Sequence, residues 1–163
     1  MANHVEMFSP SAAMTLGSAV AALGGFEQSD VPWQIWLIEN PDSPIALPGK
    51  ISLYNHDCLH VLLDRGLSNA EEAFVVGFSM GTDRQTHWYH VIIFKLISLY
   101  FYPPKYRFTW EQIESFELGY KFGKLSAIKN LNSINFRLHT HKTVDRLRQL
   151  LGIDLDNLTL GKE

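Results

Sequence analysis

The chain has 163 residues, 46% hydrophobic and 12% aromatic, with a net charge of −3. That is enough chain and apolar surface for one folded domain, which excludes wholesale disorder. A single cysteine, Cys58, excludes both a disulfide framework and a Cys-rich zinc site, and the acidic sum speaks against nucleic acid as a partner. In chain order, small residues over Ser11–Leu23 predict a first helix, stopped at Gly24-Gly25. Asp30 is placed to cap a helix over Val31–Glu39, which ends at Asn40-Pro41. Three prolines make 41–49 a loop, and Lys50–Asp64 reads as the next helix, with a turn at 65–67. Ser68-Asn69-Ala70-Glu71 has the form of a capping box, opening a helix to about Met80 with Gly81 as its stop. Arg84–Tyr102 is a long aromatic-rich helix ended by Pro103-Pro104. Thr109 and Gln112 open another, to about Ile128. Val144, Leu147, Leu150 and Leu151 put an apolar stripe on a last helix, Thr143–Leu151, closed by Gly152. Only Asn135–His139 suggests extended chain. The expectation is a single all-α domain over 1–163, a compact bundle of five to seven helices. It comprises N-terminal helices over 1–45, a helix pair over 50–80, and the aromatic and C-terminal helices over 84–155.

The candidate chemistry lies in the helix pair. His56, Asp57 and His60 share one helix. At about 100° per residue, His60 lies about 40° from His56 and Asp57 about 100° from it. A His pair at i and i+4 can meet one metal ion, and Asp57 adds an anionic oxygen. Glu72 falls in the first turn of the following helix, across the Gly66 turn, where it can close the site. Two imidazoles and two carboxylates suit Zn first, and Mn, Fe or Mg less tightly. The plainer reading is a capped helix pair whose histidines hydrogen-bond local groups.

His56-Asp57-Cys58-Leu59-His60, then eleven residues, then Glu72, resembles the metal motif of the Coq-four family of ubiquinone (coenzyme Q) biosynthesis proteins. The closing segment, Thr143 to Gly152-Ile153, is similar to that family's last amphipathic helix. The resemblance implies an all-helical fold and a divalent metal held by His56, Asp57, His60 and Glu72. It also implies an apolar groove for an isoprenoid tail, a position at a membrane surface, and work alongside other quinone-biosynthesis proteins. The activity it implies is replacement of the ring carboxyl at C1 of a polyprenylated quinone precursor, by decarboxylation with hydroxylation. It assigns no catalytic side chain beyond the ligands. Where the family usually has Gly before the final Glu, this chain has Glu71, which either adds a carboxylate to the site or serves the cap.

Two other functions compete. One is a non-catalytic isoprenoid-binding or scaffold protein with a structural or headgroup-binding metal. The other, weaker, is a zinc hydrolase, because His-Asp-x-x-His resembles the zincin motif with Asp for Glu. His87, His90, Phe94 and Tyr100 on the aromatic helix are candidate ligand-binding residues. That helix reads first as a central core helix. The sharper alternatives are a wall of a prenyl channel or an interfacial aromatic cluster. Residues 121–148 gather seven bases (Lys121, Lys124, Lys129, Arg137, Lys142, Arg146 and Arg148) against Asp145 alone. That stretch is either a solvated face or an attractant for anionic headgroups. Met1–Pro10 has no Lys or Arg and does not read as a signal peptide. The apolar run Trp88–Tyr102 is too short and too polar to span a bilayer. The expected location is cytoplasmic, or peripheral on the inner face of a membrane, with homo-oligomers allowed.

Overall fold

The computed structural model describes residues 12–25 and 27–159, and over them the chain is all helical. The helices are α1 (Leu16–Leu23), α2 (Trp33–Glu39), α3 (Leu53–Leu62), α4 (Asn69–Thr82), α5 (Trp88–Tyr100), α6 (Trp110–Leu125), α7 (Val144–Leu151) and α8 (Leu155–Thr159). Short 3-10 turns lie at Gln28–Asp30, Leu131–Ser133 and Phe136–His139. The seven expected helices are present, and α8 is an eighth. The reading of Met1–Pro10 and the helix start at Ser11 lie outside the described residues.

Local chemistry explains most boundaries. The side chains of Thr15, Ser68 and Thr143 accept the backbone N–H groups of Ser18, Glu71 and Arg146, each satisfying one orphan donor of a first turn. Gly24 and Gly152 close α1 and α7 at φ 65° and 64°, the left-handed stop that glycine takes without strain. Three expectations are corrected. Asp30 does not cap α2; its carboxylate accepts the Glu27 N–H, and the chain enters α2 through Pro32. Asn135–His139 is not extended, because the Asn135 side chain accepts the Arg137 N–H and starts a 3-10 turn. Gly81 is no stop; it lies inside α4, which runs on to Thr82.

Gly81 has a different task. Gly77 and Gly81 on α4 face Gly119 and Gly123 on α6, and the two backbones touch. A Cβ at Gly77 would fall 2.1 Å from the Phe116 carbonyl oxygen, and one at Gly119 2.0 Å from that of Phe74. At Gly81 and Gly123 the nearest oxygens, those of Tyr120 and Phe78, would be 2.3 and 2.4 Å away. Small residues four apart on both helices permit this close crossing.

The crossing makes α4 the centre of the molecule, buried at every position from Ala73 to Thr82. Phe74, Val75 and Phe78 pack into one core with α1, α3 and α7. Ala73, Val76 and Met80 pack into a second with Phe94, Tyr102 and Phe116. The aromatic helix α5 is therefore not the central helix. It buries Val91, Phe94 and Ser98 but exposes Trp88 (73%), Ile92, Leu96 and Tyr100 (61%). Apolar residues all round hid which side faced the core.

Part of the basic C-terminal stretch is tied to carbonyls and rings. Arg148 is buried, and donates from Nε to the Leu62 carbonyl at 2.9 Å and from Nη2 to that of Val61 at 3.0 Å. These are carbonyls at the C-terminal end of α3; that of Val61 also accepts the Asp64 N–H at 3.3 Å, and that of Leu62 lies past the last helical hydrogen bond. Lys129 donates to the carbonyls of Gly123 and Lys124, and Arg137 lies over the Tyr54 ring at 4.2 Å. Arg148→Met should leave the buried Leu62 carbonyl without its partner, remove one of the two donors to that of Val61, and destabilise the fold by about 2 kcal/mol, read by urea unfolding.

Candidate metal centre

α3 presents His56 and His60 one turn apart, and the start of α4 presents Glu72. The Ser68 cap fixes where α4 begins, and so where Glu72 points. Nε2 of His56 donates to Oε2 of Glu72 at 2.9 Å, and Nε2 of His60 lies 3.3 Å from the same oxygen. The two imidazole Nε2 atoms are themselves 2.9 Å apart. His60 is fully buried and Glu72 is half-buried.

Two imidazole nitrogens and a carboxylate oxygen crowd one point, which is what a cation needs. Bonds of 2.0–2.1 Å in a tetrahedral site put ligand atoms about 3.3 Å apart, so the observed triangle needs to open by only a few tenths of an ångström. In the plainer reading the same three atoms simply hydrogen-bond one another; the buried Nδ1 of His60 has no hydrogen-bond partner in either case. Three residues, His56, His60 and Glu72, can thus hold a metal ion together.

Asp57 lines the adjoining cavity but does not join that triangle. Its carboxyl packs on the Gly25 backbone, where a Cβ would fall 2.6 Å from Oδ2. Burial raises its proton affinity despite the neighbouring histidines. Glu71 belongs to the cap: the Ser68 hydroxyl donates to its Oε2 at 3.0 Å. Cys58 is buried in the core, and burial pushes its thiol up to about 12, which leaves it unreactive.

The cavity beside the triangle has a volume of about 140 Å³. Its polar lining includes His56, Asp57, Glu72, Glu39 and Tyr102, and its apolar lining includes Ile35, Trp36, Val76 and Phe108. His87, His90, Phe94 and Tyr100 do not line it. His87 and Tyr100 are exposed. Nδ1 of His90 accepts the His87 backbone N–H. Phe94 stacks on Phe116 in the core at 4.9 Å between ring centres. The sequence reading missed Glu39, whose carboxylate accepts the Tyr102 hydroxyl. The available signal was the tyrosines at the end of α5, since a buried hydroxyl needs a partner.

The electrostatics suit a cation site. Burial alone raises Glu72, but hydrogen bonds from His56 and His60 and their charge hold it well below the usual carboxylate range. Burial alone lowers His56, but the bond and charge of Glu72, with Glu39 and Asp57 nearby, carry it above 6.5. A raised histidine stabilises the fold fully below its ordinary value and stops doing so as pH rises through the raised one. A depressed carboxylate stabilises above the ordinary carboxylate range and stops as pH falls. In metal-free protein, thermal stability should therefore fall as pH rises from the ordinary histidine range through the raised value of His56. Added zinc should reverse that trend, because the ion competes with the His56 proton and binds more tightly as pH rises. Melting curves with and without zinc across that range check both signs.

Compared with known protein families, curated proteins and solved structures, the chain matches none.

Proposed function

We propose that this chain is a divalent-metal protein of prenylquinone biosynthesis, acting on the ring of a polyprenylated precursor. One observation carries the reading. The motif residues His56, His60 and Glu72 converge at the edge of a cavity with both polar and apolar walls. Zinc is the first choice for two imidazoles and a carboxylate, with Fe, Mn or Mg as alternatives. When bound, such an ion polarises a ligand oxygen as a Lewis acid. Three protein ligands leave a coordination position for that oxygen, as catalytic sites do and closed structural sites do not. The residues then divide the work. His56, His60 and Glu72 fix the ion's place, the apolar walls exclude water, and Asp57 adds negative charge beside the triangle.

The other reading, a non-catalytic isoprenoid carrier or scaffold with the same metal, draws on the exposed apolar side of α5. Trp88, Ile92, Leu96 and Tyr100 suit a lipid surface, the inner face of a membrane, or a second copy of the chain. No helix among the described residues is long and apolar enough to cross a membrane. Organic extraction of the purified protein, followed by mass spectrometry, tests the isoprenoid part. An isoprenoid recovered with about one equivalent of metal supports the proposal. Metal-loaded, folded protein that yields none counts against it.

A further inference from the structure

The cavity has a second polar group besides the metal triangle. Tyr102 is buried, and its hydroxyl donates to Oε1 of Glu39. The pair is held firmly. Phe94 and Phe108 both meet the Tyr102 ring edge-on, with centres 6.3 Å away. The Glu39 carbonyl accepts the Ile51 N–H at 2.9 Å, tying the end of α2 to the chain entering α3.

Nothing about folding asks for an acid here. Glu39 is the last residue of α2, the end at which the helix dipole disfavours negative charge. It also shares its cavity with the Glu72 carboxylate. Burial raises its carboxyl, and Glu72 adds to that, against the Tyr102 bond and the His56 charge. Buried polar groups that oppose local stability are concentrated where function needs them.

Cavity size says what such a pair can meet. About 140 Å³ is close to the roughly 150 Å³ that accommodates a benzene molecule in an apolar protein cavity. Trp36, Ile35 and Val76 supply apolar wall. Tyr102 engages Oε1 of the half-buried Glu39, one of its two carboxyl oxygens.

We propose that Glu39 and Tyr102 are the specificity-determining pair of this cavity, selecting an aromatic ring that bears an oxygen substituent over a ring of the same size without one. The inference rests on the reading of the cavity as a ring site, but not on the metal. A buried pair that hydrogen-bonds a ligand hydroxyl rejects the analogue that lacks it, because its own polar atoms are then left unpaired.

The test uses metal-free full-length protein and two probes of equal shape, phenol and toluene. Binding is followed by NMR titration of the Trp36 indole N–H, assigned with Trp36→Phe. Wild type should bind phenol about tenfold more tightly than toluene. The double variant Glu39→Leu/Tyr102→Phe removes both partners and leaves no orphan. It should keep its toluene affinity and lose the preference for phenol. Glu39→Gln, which keeps the volume and removes the charged acceptor, should lower the phenol preference severalfold and serves if the double variant does not fold. Equal loss of both probes, an unchanged preference, or no binding of either probe to wild type overturns the proposal. Metal content and isoprenoid extraction are measured separately, so failure of the metal reading leaves these outcomes distinct.

Discussion

Gly77→Ala should unfold this protein or lower its melting temperature by about 10 °C, among the largest effects expected of a single added methyl group. The Cβ would sit 2.1 Å from the Phe116 carbonyl oxygen. That atom is backbone, so no side-chain torsion can relieve the clash. α4 and α6 must separate, and both hydrophobic cores lose packing, because α4 contributes to each. Overpacking in a core typically costs about 1–3 kcal/mol. Here a rigid backbone contact is broken along two turns, so about 4 kcal/mol is the expected loss. Gly119→Ala should match it, with its Cβ 2.0 Å from the Phe74 carbonyl oxygen. Gly24→Ala is the contrast. Nothing lies within 4 Å of a Cβ there, so only the left-handed φ is strained, at about 1 kcal/mol. Calorimetric melting of the three variants checks the order.

His60→Ala should reduce bound divalent metal from about one equivalent to near none, with affinity falling more than about a hundredfold. His60 faces both other ligand atoms, at 2.9 and 3.3 Å, so removing it leaves two donors. His60→Gln keeps most of the volume and serves if the smaller side chain destabilises the core. Asp57→Asn separates the two ligand sets. The structure groups His56, His60 and Glu72 without Asp57, whereas the family resemblance includes it. With Asp57 outside the triangle, the variant should retain metal at an affinity lowered by about tenfold. Elemental analysis after dialysis against a weak chelator measures both. Unchanged metal in His60→Ala would sink the assignment.

The residues of the candidate metal centre were legible because their signal is local. Two histidines four apart and a glutamate just past a capped turn need only helix geometry to meet, and Ser68 set the turn. The helices were legible for the same reason, through Ser68, Thr109, Gly24 and Gly152, although the Thr15 cap that starts α1 at Leu16 was missed. Two kinds of feature were not. Glu39 and Tyr102 meet across 63 residues, and no spacing rule connects an acid at the end of one helix to a tyrosine beyond the end of another. Gly81 carried two meanings at once. A glycine after a helical run reads as a stop, and only its partner Gly77, with Gly119 and Gly123 at the same interval, marks a crossing. The aromatic helix misled because its exposed side is as apolar as its buried one, so periodicity could not separate them.

The glycine crossing also decides which wall of the metal centre can give. α4 is pressed backbone to backbone against α6, so the backbone that carries Glu72 is held in place. The few tenths of an ångström needed to admit an ion come from the side-chain torsions of Glu72, His56 and His60 and from small movements of α3. Metal loading should therefore slow amide hydrogen exchange along α3 and leave the α4–α6 crossing as it was. The site has one fixed backbone and one adjustable one, and its tolerance for ions of different radius is set by α3 and by the side-chain torsions of the three residues.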